Sequence, residues 1–319
     1  MIEISHLTKR YGDIAAVNDI SFSVAEGEIL GFLGPNGAGK STTMNILTGY
    51  LSATSGTVTV NGFDILEDPS EAKRSIGYLP EAPPLYFDMT VNEYLNFICD
   101  LKGVKKEERQ QPLTRILRMV RITDVSHRLI GNLSKGYKQR VGIAQAMVGN
   151  PKVLVLDEPT VGLDPKQIID FRETIKELGK SHTIILSSHI LPEVQAVCDR
   201  VVIINRGQIV AVDNIGALAD RGQVNRMELL VEGPSREVVR RMRQIPGLTE
   251  TRVIRESDGL SLIQYENELG KDTRRQVFYI MAQNSWPILQ MRSMEPTLED
   301  VFLEVTGSGL ASRNVKVEA

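Results

Sequence analysis

The sequence predicts an α/β fold built around a mostly parallel sheet, and three observations support this prediction. Runs that are apolar almost throughout recur at Pro151–Leu156, Thr183–Ser187 and Arg200–Asn205, as expected of parallel strands covered on both faces. A helical pattern at Gln167–Gly179 separates the first two runs and gives the strand–helix alternation of such a sheet. A glycine-rich loop at 34–39 joins a further apolar strand to a helix.

The N-terminal part of the chain predicts additional β structure, with an antiparallel section. The predicted strands are Met1–Leu7, Ala16–Val24, Glu28–Leu33, Gly56–Asn61 and Ser75–Leu79, and the helix after the loop is Lys40–Thr48. Apolar residues change to helical spacing from Val91 to Ala146. A helical insertion is therefore expected at about 82–150.

The pattern changes again near residue 216 and predicts a second, smaller domain. In order, we expect strand Met227–Glu232, helix Pro234–Gln244, strand Glu250–Ile254, strand Leu260–Tyr265, helix Lys271–Gln283 and strand Leu289–Arg292. This βαββαβ order predicts a small ferredoxin-like α+β domain. A short amphipathic helix is expected at Thr297–Val305. The predicted organisation is thus a domain at 1–215, a domain at 216–306 and a disordered tail at 307–319.

Composition narrows the class of protein. The chain has 319 residues, 42% hydrophobic and 24% charged, as in soluble globular proteins, and its net charge of −3 gives no reason to expect a nucleic-acid partner. Cys99 and Cys198 fit no metal or redox spacing, so two isolated buried thiols are expected. No apolar run reaches the length of a membrane span and the N-terminus resembles no signal segment. We therefore expect a cytoplasmic protein that would serve a membrane only by docking to another chain.

A phosphate-binding loop is the strongest functional motif. It comprises Gly34, Pro35, Asn36, Gly37, Ala38, Gly39, Lys40 and Ser41, followed by Thr42. The glycines let backbone N–H groups converge on an anion at a helix N-terminus. Lys40 is expected to reach the β- and γ-phosphates, Ser41 to bind Mg²⁺ and Thr42 to contact the α-phosphate. The strand before the loop and the helix after it favour this interpretation over an ordinary glycine turn.

Two carboxylates complete the predicted metal and catalytic site. Asp157 and Glu158 directly follow the apolar run at 153–156 and are therefore expected at the end of a strand. Asp157 is expected to hold Mg²⁺ and Glu158 to act as general base for the attacking water; alternatively both acids cap the next turn. His189 follows another strand and is expected to face the γ-phosphate, although a lone histidine is more often structural.

Together with these motifs, three further segments resemble the nucleotide-binding subunits of ABC transporters. Leu133–Arg140 (LSKGYKQR) is similar to the family's signature segment, Val161–Asp164 (VGLD) to its D-loop, and Tyr11 occupies the position of its adenine-stacking aromatic residue. The resemblance covers about residues 1–215. Residues after 216, ending in Leu298–Glu304, resemble the C-terminal extension of ABC-2 exporter ATPases.

The resemblance implies a P-loop NTPase core that binds ATP and Mg²⁺ and hydrolyses ATP. It implies a homodimer that sandwiches two nucleotides, in which Ser134 and Gly136 contact the partner's ATP and Asp164 belongs to the nucleotide site. It also implies an integral membrane permease as partner and a location at the inner face of the cell membrane. The rival interpretations are a soluble ATPase of the same type and a regulatory ATP binder without turnover.

Several positions depart from the family pattern or stay open. Lys135 and Tyr137 replace the usual Gly and Gln of the signature, and Lys135 either adds charge near the γ-phosphate or is solvated. Glu81 replaces the Q-loop Gln and is expected to approach Mg²⁺ and nucleotide. Tyr11 could instead be a core residue. The segment Pro83–Met89 is expected to help dock the membrane subunit, or else its aromatic residues pin it to the helical insertion.

Overall fold

The structure is a computed structural model that describes residues 1–214, 225–268 and 270–294. The predicted helix at Thr297–Val305 and the predicted tail at 307–319 lie outside the described residues. The chain divides into two compact units, Met1–Ile215 and Gly216–Ala319. Within the described ranges, no helix combines the length and the apolar character that crossing a bilayer requires.

A four-stranded antiparallel sheet occupies the N-terminal part of the first unit. Its strands are β1 (Ile2–Tyr11), β2 (Ile14–Val24), β4 (Ser55–Val60) and β5 (Phe63–Asp64), in the order β2-β1-β4-β5. β1 ends four residues later than predicted because its pairing with β2 continues as far as Tyr11 opposite Ile14. The polar residues Thr8–Arg10 obscure this extension in the sequence.

A six-stranded sheet forms the centre of the first unit. Its strands are β3 (Ile29–Leu33), β6 (Ile76–Leu79), β7 (Val153–Asp157), β8 (Thr183–Ser188), β9 (Arg200–Asn205) and β10 (Gln208–Asn214). The order is β10-β9-β3-β8-β7-β6, parallel from β9 to β6 and antiparallel only at β10. The sheet is thus mostly parallel, as predicted. Its carboxyl edge is where ligands of such sheets bind.

Seven α-helices of the first unit accompany these sheets among the described residues. They are α1 (Lys40–Leu47), α2 (Pro69–Arg74), α3 (Val91–Leu101), α4 (Gln110–Met119), α5 (Lys135–Met147), α6 (Pro165–Gly179) and α7 (Leu191–Val197). α3, α4 and α5 fall within the expected helical insertion. α3 begins at a capping box in which Thr90 and Glu93 satisfy each other's backbone N–H groups.

The second unit is described over 225–268 and 270–294. Its elements are β11 (Asn225–Glu232), α8 (Ser235–Met242), β12 (Leu248–Ser257), β13 (Leu260–Asn267), α9 (Arg274–Gln283) and β14 (Ile288–Met294). The strands form one antiparallel sheet in the order β12-β13-β11-β14. Val238 and Met242 of α8 and Val277 and Met281 of α9 are buried against the apolar side chains of the sheet, among them Tyr265.

Candidate active site

The phosphate loop leads from β3 into α1, and its backbone conformation requires glycine. Gly39 has a φ of 110° and no side chain caps the N-terminus of α1, so its N–H groups remain directed at the loop. A Cβ atom at Gly34 would lie 2.4 Å from the Ile204 carbonyl oxygen, and one at Gly39 would lie 2.5 Å from that of Ala16. The loop is therefore suited to hold an anion by its backbone.

Lys40 is buried and folds over the loop. Its Nζ donates to the carbonyl oxygens of Gly34 at 2.8 Å and Pro35 at 3.2 Å. The same Nζ lies 3.3 Å from Glu158 Oε1. Because the ammonium group points into the loop's concave side, it can exchange these acceptors for phosphate oxygens without leaving its position.

Glu158 lies between a cation and a histidine. Its Oε2 is 2.8 Å from His189 Nδ1, while its Oε1 faces Lys40, and the residue is only 6% exposed. Its φ of 46° places a non-glycine residue in the left-handed region, a conformation that typically costs on the order of 1–3 kcal/mol. Such strain persists where the surrounding structure fixes the residue, which is typical of catalytic positions.

Asp157 ends β7 beside Ser41 and Ser187. Burial raises the pKa of Asp157 above the usual aspartate range, and hydrogen bonds from the Ser187 and Ser41 side chains counteract part of this effect. Ser187 donates its hydroxyl to Asp157 Oδ1 and accepts the Glu158 backbone N–H at 2.9 Å. Ser187, which the sequence interpretation did not single out, thus fixes both acidic residues from the neighbouring strand.

A cavity of about 390 Å³ brings together the three residues predicted to be catalytic and several of those predicted to bind nucleotide. The predicted residues among those that line it are Asn36, Gly37, Gly39, Lys40, Ser41, Thr42, Glu81, Glu158 and His189. Ala16, which was not predicted, also lines it, as does Val161, which was named only as the first residue of the D-loop segment. The predicted residues that do not line it are Tyr11, Gly34, Pro35, Ala38, Ser134, Gly136, Asp157 and Asp164.

Comparison with known proteins agrees with this geometry. Residues 17–161 match the family model described as ABC transporter. The linearmycin resistance ATP-binding protein LnrL of Bacillus subtilis is 32% identical over 97% of this chain and 99% of its own length. The bacitracin transport ATP-binding protein BcrA of Bacillus licheniformis is 33% identical over 97% of this chain and 98% of its own length.

The chain belongs to the ABC transporter ATP-binding proteins. Among solved structures, the dimeric ATP-binding cassette MJ0796 in a post-hydrolysis state with ADP and Pi superposes with a TM-score of 0.61. It is 25% identical and covers 67% of this chain and 98% of its own length. The cassette described above is thus the ATP-binding and ATP-hydrolysing subunit of an ABC transporter, built on a P-loop NTPase core.

Tyr11 of the cassette is not a core residue. It is 50% exposed at the end of β1, and Lys9 Nζ lies 5.3 Å from its ring centroid. The alternative of a buried tyrosine is therefore wrong. Stacking of Tyr11 on adenine stays a prediction.

The signature segment begins α5 and packs against the D-loop of the same cassette. Ser134 is the exposed N-cap of α5 and accepts the Tyr137 N–H. Lys135 Nζ occupies the space beside the D-loop residue Gly162 that a Cβ atom there would need. Gly136 lies equally close to α6, since a Cβ atom at Gly136 would lie 2.6 Å from the Gln167 side chain. Lys135 therefore covers the D-loop glycine in this structure.

Tyr137, the other signature residue that differs from the family pattern, is hydrogen-bonded within the same cassette. The Tyr137 hydroxyl donates to Asp124 Oδ2 at 3.1 Å, and this hydrogen bond raises the pKa of Tyr137. Tyr137 therefore links α5 to the short helical turn at Thr123–Val125. Asp164, the last D-loop residue, is the exposed N-cap of α6 in a capping box with Gln167.

The sequence interpretation also missed a buried carboxylate below His189. Glu193 on α7 is 4% exposed, and its Oε2 accepts hydrogen bonds from Thr160 Oγ1 and, at 3.2 Å, from Ser188 Oγ. In the sequence, Glu193 follows Pro192 at the start of a helix, where an acidic residue is ordinarily explained by the helix dipole. Only the fold shows that it faces inward.

Proposed function

We propose that this cassette drives an ABC-2-type exporter by closing on a second copy when ATP binds and opening after hydrolysis. The observation that supports catalysis most directly is the buried Glu158 carboxylate held between Lys40 and His189 at the mouth of the phosphate loop. The full-length match to LnrL and BcrA, named for resistance and transport, supports the export role. This match includes the C-terminal unit, which we propose to be a ferredoxin-like domain over 216–306, since its sheet order is β12-β13-β11-β14.

The residues present fit Mg²⁺. The hydroxyl of Ser41 hydrogen-bonds Asp157, and Glu81 lines the same cavity as Ser41, so oxygen donors of the kind Mg²⁺ prefers converge beside the loop. Bound there, the ion would neutralise phosphate charge. Lys40 binds the β- and γ-phosphates, Glu158 accepts a proton from the attacking water, and His189 orients Glu158 through their 2.8 Å contact.

A second copy of the chain completes each site in this proposal. Ser134 and Asp164 are exposed, and neither lines the chain's own ATP cavity. Residues of the signature and D-loop thus remain available for a nucleotide held by another copy. Closed two-fold assemblies use the same surface on both subunits, so one pair of contacts would serve both ATP molecules.

The membrane permease is proposed to dock beside the Q-loop. A cleft of about 560 Å³ lies between the central sheet and the helical insertion, and Tyr50 and Leu101 on its rim are 83% and 68% exposed. Tyr86 instead packs edge-on against Tyr94 and Phe97 of its own insertion. We therefore assign docking to the cleft rather than to the ring of Tyr86, and place the cassette at the inner face of the cell membrane.

The decisive experiment separates ATP binding from turnover. Glu158→Gln should bind Mg-ATP like the wild type but hydrolyse it about 10² to 10⁴ times more slowly, the usual contribution of a positioned general base. The control is Glu177→Gln, which removes an exposed carboxylate on α6 that pairs with Lys180. Wild-type turnover in Glu158→Gln would remove Glu158 from this role.

The same variant tests the shared site. Held in the ATP state, Glu158→Gln should elute as a dimer with Mg-ATP and as a monomer without it in size-exclusion chromatography with light scattering. Adding Ser134→Arg should prevent dimer formation, because a bulky cation would replace the exposed N-cap hydroxyl of α5. Dimers that survive Ser134→Arg would contradict the shared nucleotide site.

A further inference from the structure

The buried carboxylate of Glu193 is a charged group that the proposed hydrolytic steps do not use. It is 4% exposed, and no ion pair of Glu193 occurs in the described part of the chain. An ionised carboxylate removed from water without a cation is unfavourable unless hydrogen bonds compensate for the lost solvation. Two hydroxyls supply this compensation here, and both come from segments that carry catalytic groups.

The first hydroxyl belongs to the segment that carries the general base. Thr160 follows Glu158 by two residues, is 5% exposed, and donates its Oγ1 to Glu193 Oε2. The intervening Pro159 has a restricted φ, which limits how independently Thr160 and Glu158 can move. The contact therefore fixes the chain just beyond Glu158.

The second hydroxyl belongs to the segment that carries the histidine. Ser188 donates its Oγ to the same Glu193 Oε2 at 3.2 Å and accepts the Ile190 N–H at 2.9 Å. Ser188 and Ile190 flank His189, so the hydrogen bond between them closes a turn around the histidine. The hydrogen bond from Ser188 to Glu193 fixes this turn to α7. The two segments meet again at the site itself, where His189 Nδ1 lies 2.8 Å from Glu158 Oε2.

We propose that Glu193 is a positioning residue: one oxygen of its carboxylate, Oε2, ties the His189 loop to the segment after Glu158 and so sets the contact between these two catalytic residues. The proposal rests on the catalytic roles proposed for Glu158 and His189. Glu193 does not line the ATP cavity, and its hydrogen bonds go to Thr160 and Ser188 rather than to Glu158 or His189. Loss of the hydrogen bonds of Glu193 should therefore impair the alignment of Glu158 with the attacking water while leaving ATP binding intact.

Steady-state ATPase kinetics on two sets of variants test this role. Glu193→Gln keeps the side-chain volume but removes the charge that strengthens both hydrogen bonds. Thr160→Val removes one donor without changing shape, and Thr160→Ser restores it. We expect kcat to fall about 10- to 100-fold in Glu193→Gln and Thr160→Val, the range typical of a misplaced catalytic group, with KM for ATP unchanged. Thr160→Ser and the exposed control Glu177→Gln should keep wild-type kcat.

The double variant tests whether Glu193 and Thr160 act through the same contact. If Glu193 acts through its bond to Thr160, Glu193→Gln/Thr160→Val should lose no more kcat than the more impaired single variant. Wild-type kcat in Glu193→Gln, or losses that multiply in the double variant, would overturn the proposal. His189→Ala is measured in parallel. Normal turnover in His189→Ala would instead refute the catalytic assignment on which the proposal rests.

Discussion

At the scale of single residues, the site owes its chemistry to carboxylates with different surroundings. Asp157 and Glu158 are adjacent in sequence, yet Asp157 contacts hydroxyls and Glu158 contacts Lys40 and His189. Glu81 is exposed and reaches the cavity from the Q-loop. Adjacent carboxylates can therefore take separate roles because each has a different set of partners.

Glu81 gives the prediction at this scale. Glu81→Gln should bind metal-free ATP about fivefold more tightly than the wild type, because one negative charge near the phosphates is removed, and should bind Mg-ATP equally well. The measurement is ATP titration with Mg²⁺ and with chelator, and the control is Glu67→Gln, an exposed acid that does not line the cavity. Equal metal-free affinities of wild type and Glu81→Gln would mean that Glu81 has no electrostatic effect on the nucleotide.

The sequence allowed some of these residues to be predicted but not others, for a physical reason. Lys40, Asp157 and Glu158 belong to contiguous motifs whose spacing follows from one loop and one strand. Ser187 and Glu193 act on residues about 30 positions away, and their partners are set by the pairing of β7 with β8 and by the packing of α7. Such contacts leave no local pattern to read.

At the scale of elements, helix starts determine how the signature and D-loop are presented. Ser134 caps α5 and Asp164 caps α6, and the close approach of Gly136 to Gln167 brings the two helix N-termini together.

The apolar strands of the central sheet were predictable from their composition. β12 proved longer than the prediction of Glu250–Ile254, because its pairing with β13 begins at Leu248 and continues to Ser257. The charged residues Arg255 and Glu256 conceal the C-terminal part of the strand in the sequence. α9 begins at Arg274 rather than Lys271.

Asp164 allows the structural and functional parts of the D-loop to be separated. Its Oδ1 accepts the Gln167 N–H at 2.9 Å, so Asp164→Ala should lower the free energy of unfolding by about 1 kcal/mol through loss of the N-cap. Asp164→Asn should keep the wild-type stability, because asparagine caps helices equally well. Urea denaturation measures both. An Asp164→Ala protein as stable as Asp164→Asn would show that the cap contributes nothing.

At the scale of the whole molecule, strand order could not be predicted. β3 lies between β8 and β9, which follow it by about 150 residues or more, and this arrangement brings the phosphate loop beside Ser188 and His189. Apolar runs indicate that strands are buried but do not indicate which strands are neighbours. Each of the two units has its own apolar cluster.

Two natural probes report the two units separately. Cys99 and Cys198, the only cysteines, are free and buried in the first unit, where burial raises the pKa of both thiols and slows their reaction. Trp286, the only tryptophan, packs on the apolar cluster of the second unit. Thiol labelling therefore follows unfolding of the first unit, and tryptophan fluorescence follows unfolding of the second.

We expect urea unfolding of Glu158→Gln to show two transitions, of which only the thiol-labelling one responds to nucleotide. Mg-ATP at 100 times its dissociation constant should stabilise the unit that binds it by at least about 2.7 kcal/mol, because dimer formation adds to the effect of binding. The Glu158→Gln substitution prevents the nucleotide from being consumed during the measurement. The tryptophan transition should keep its midpoint, because the apolar cluster around Trp286 contains no residue of the ATP cavity. Lys40→Ala is the control: it removes the phosphate-binding ammonium group, so Mg-ATP should not shift the midpoint of its thiol-labelling transition. A single transition seen by both probes and moved equally by Mg-ATP would show that the two units unfold as one cooperative body.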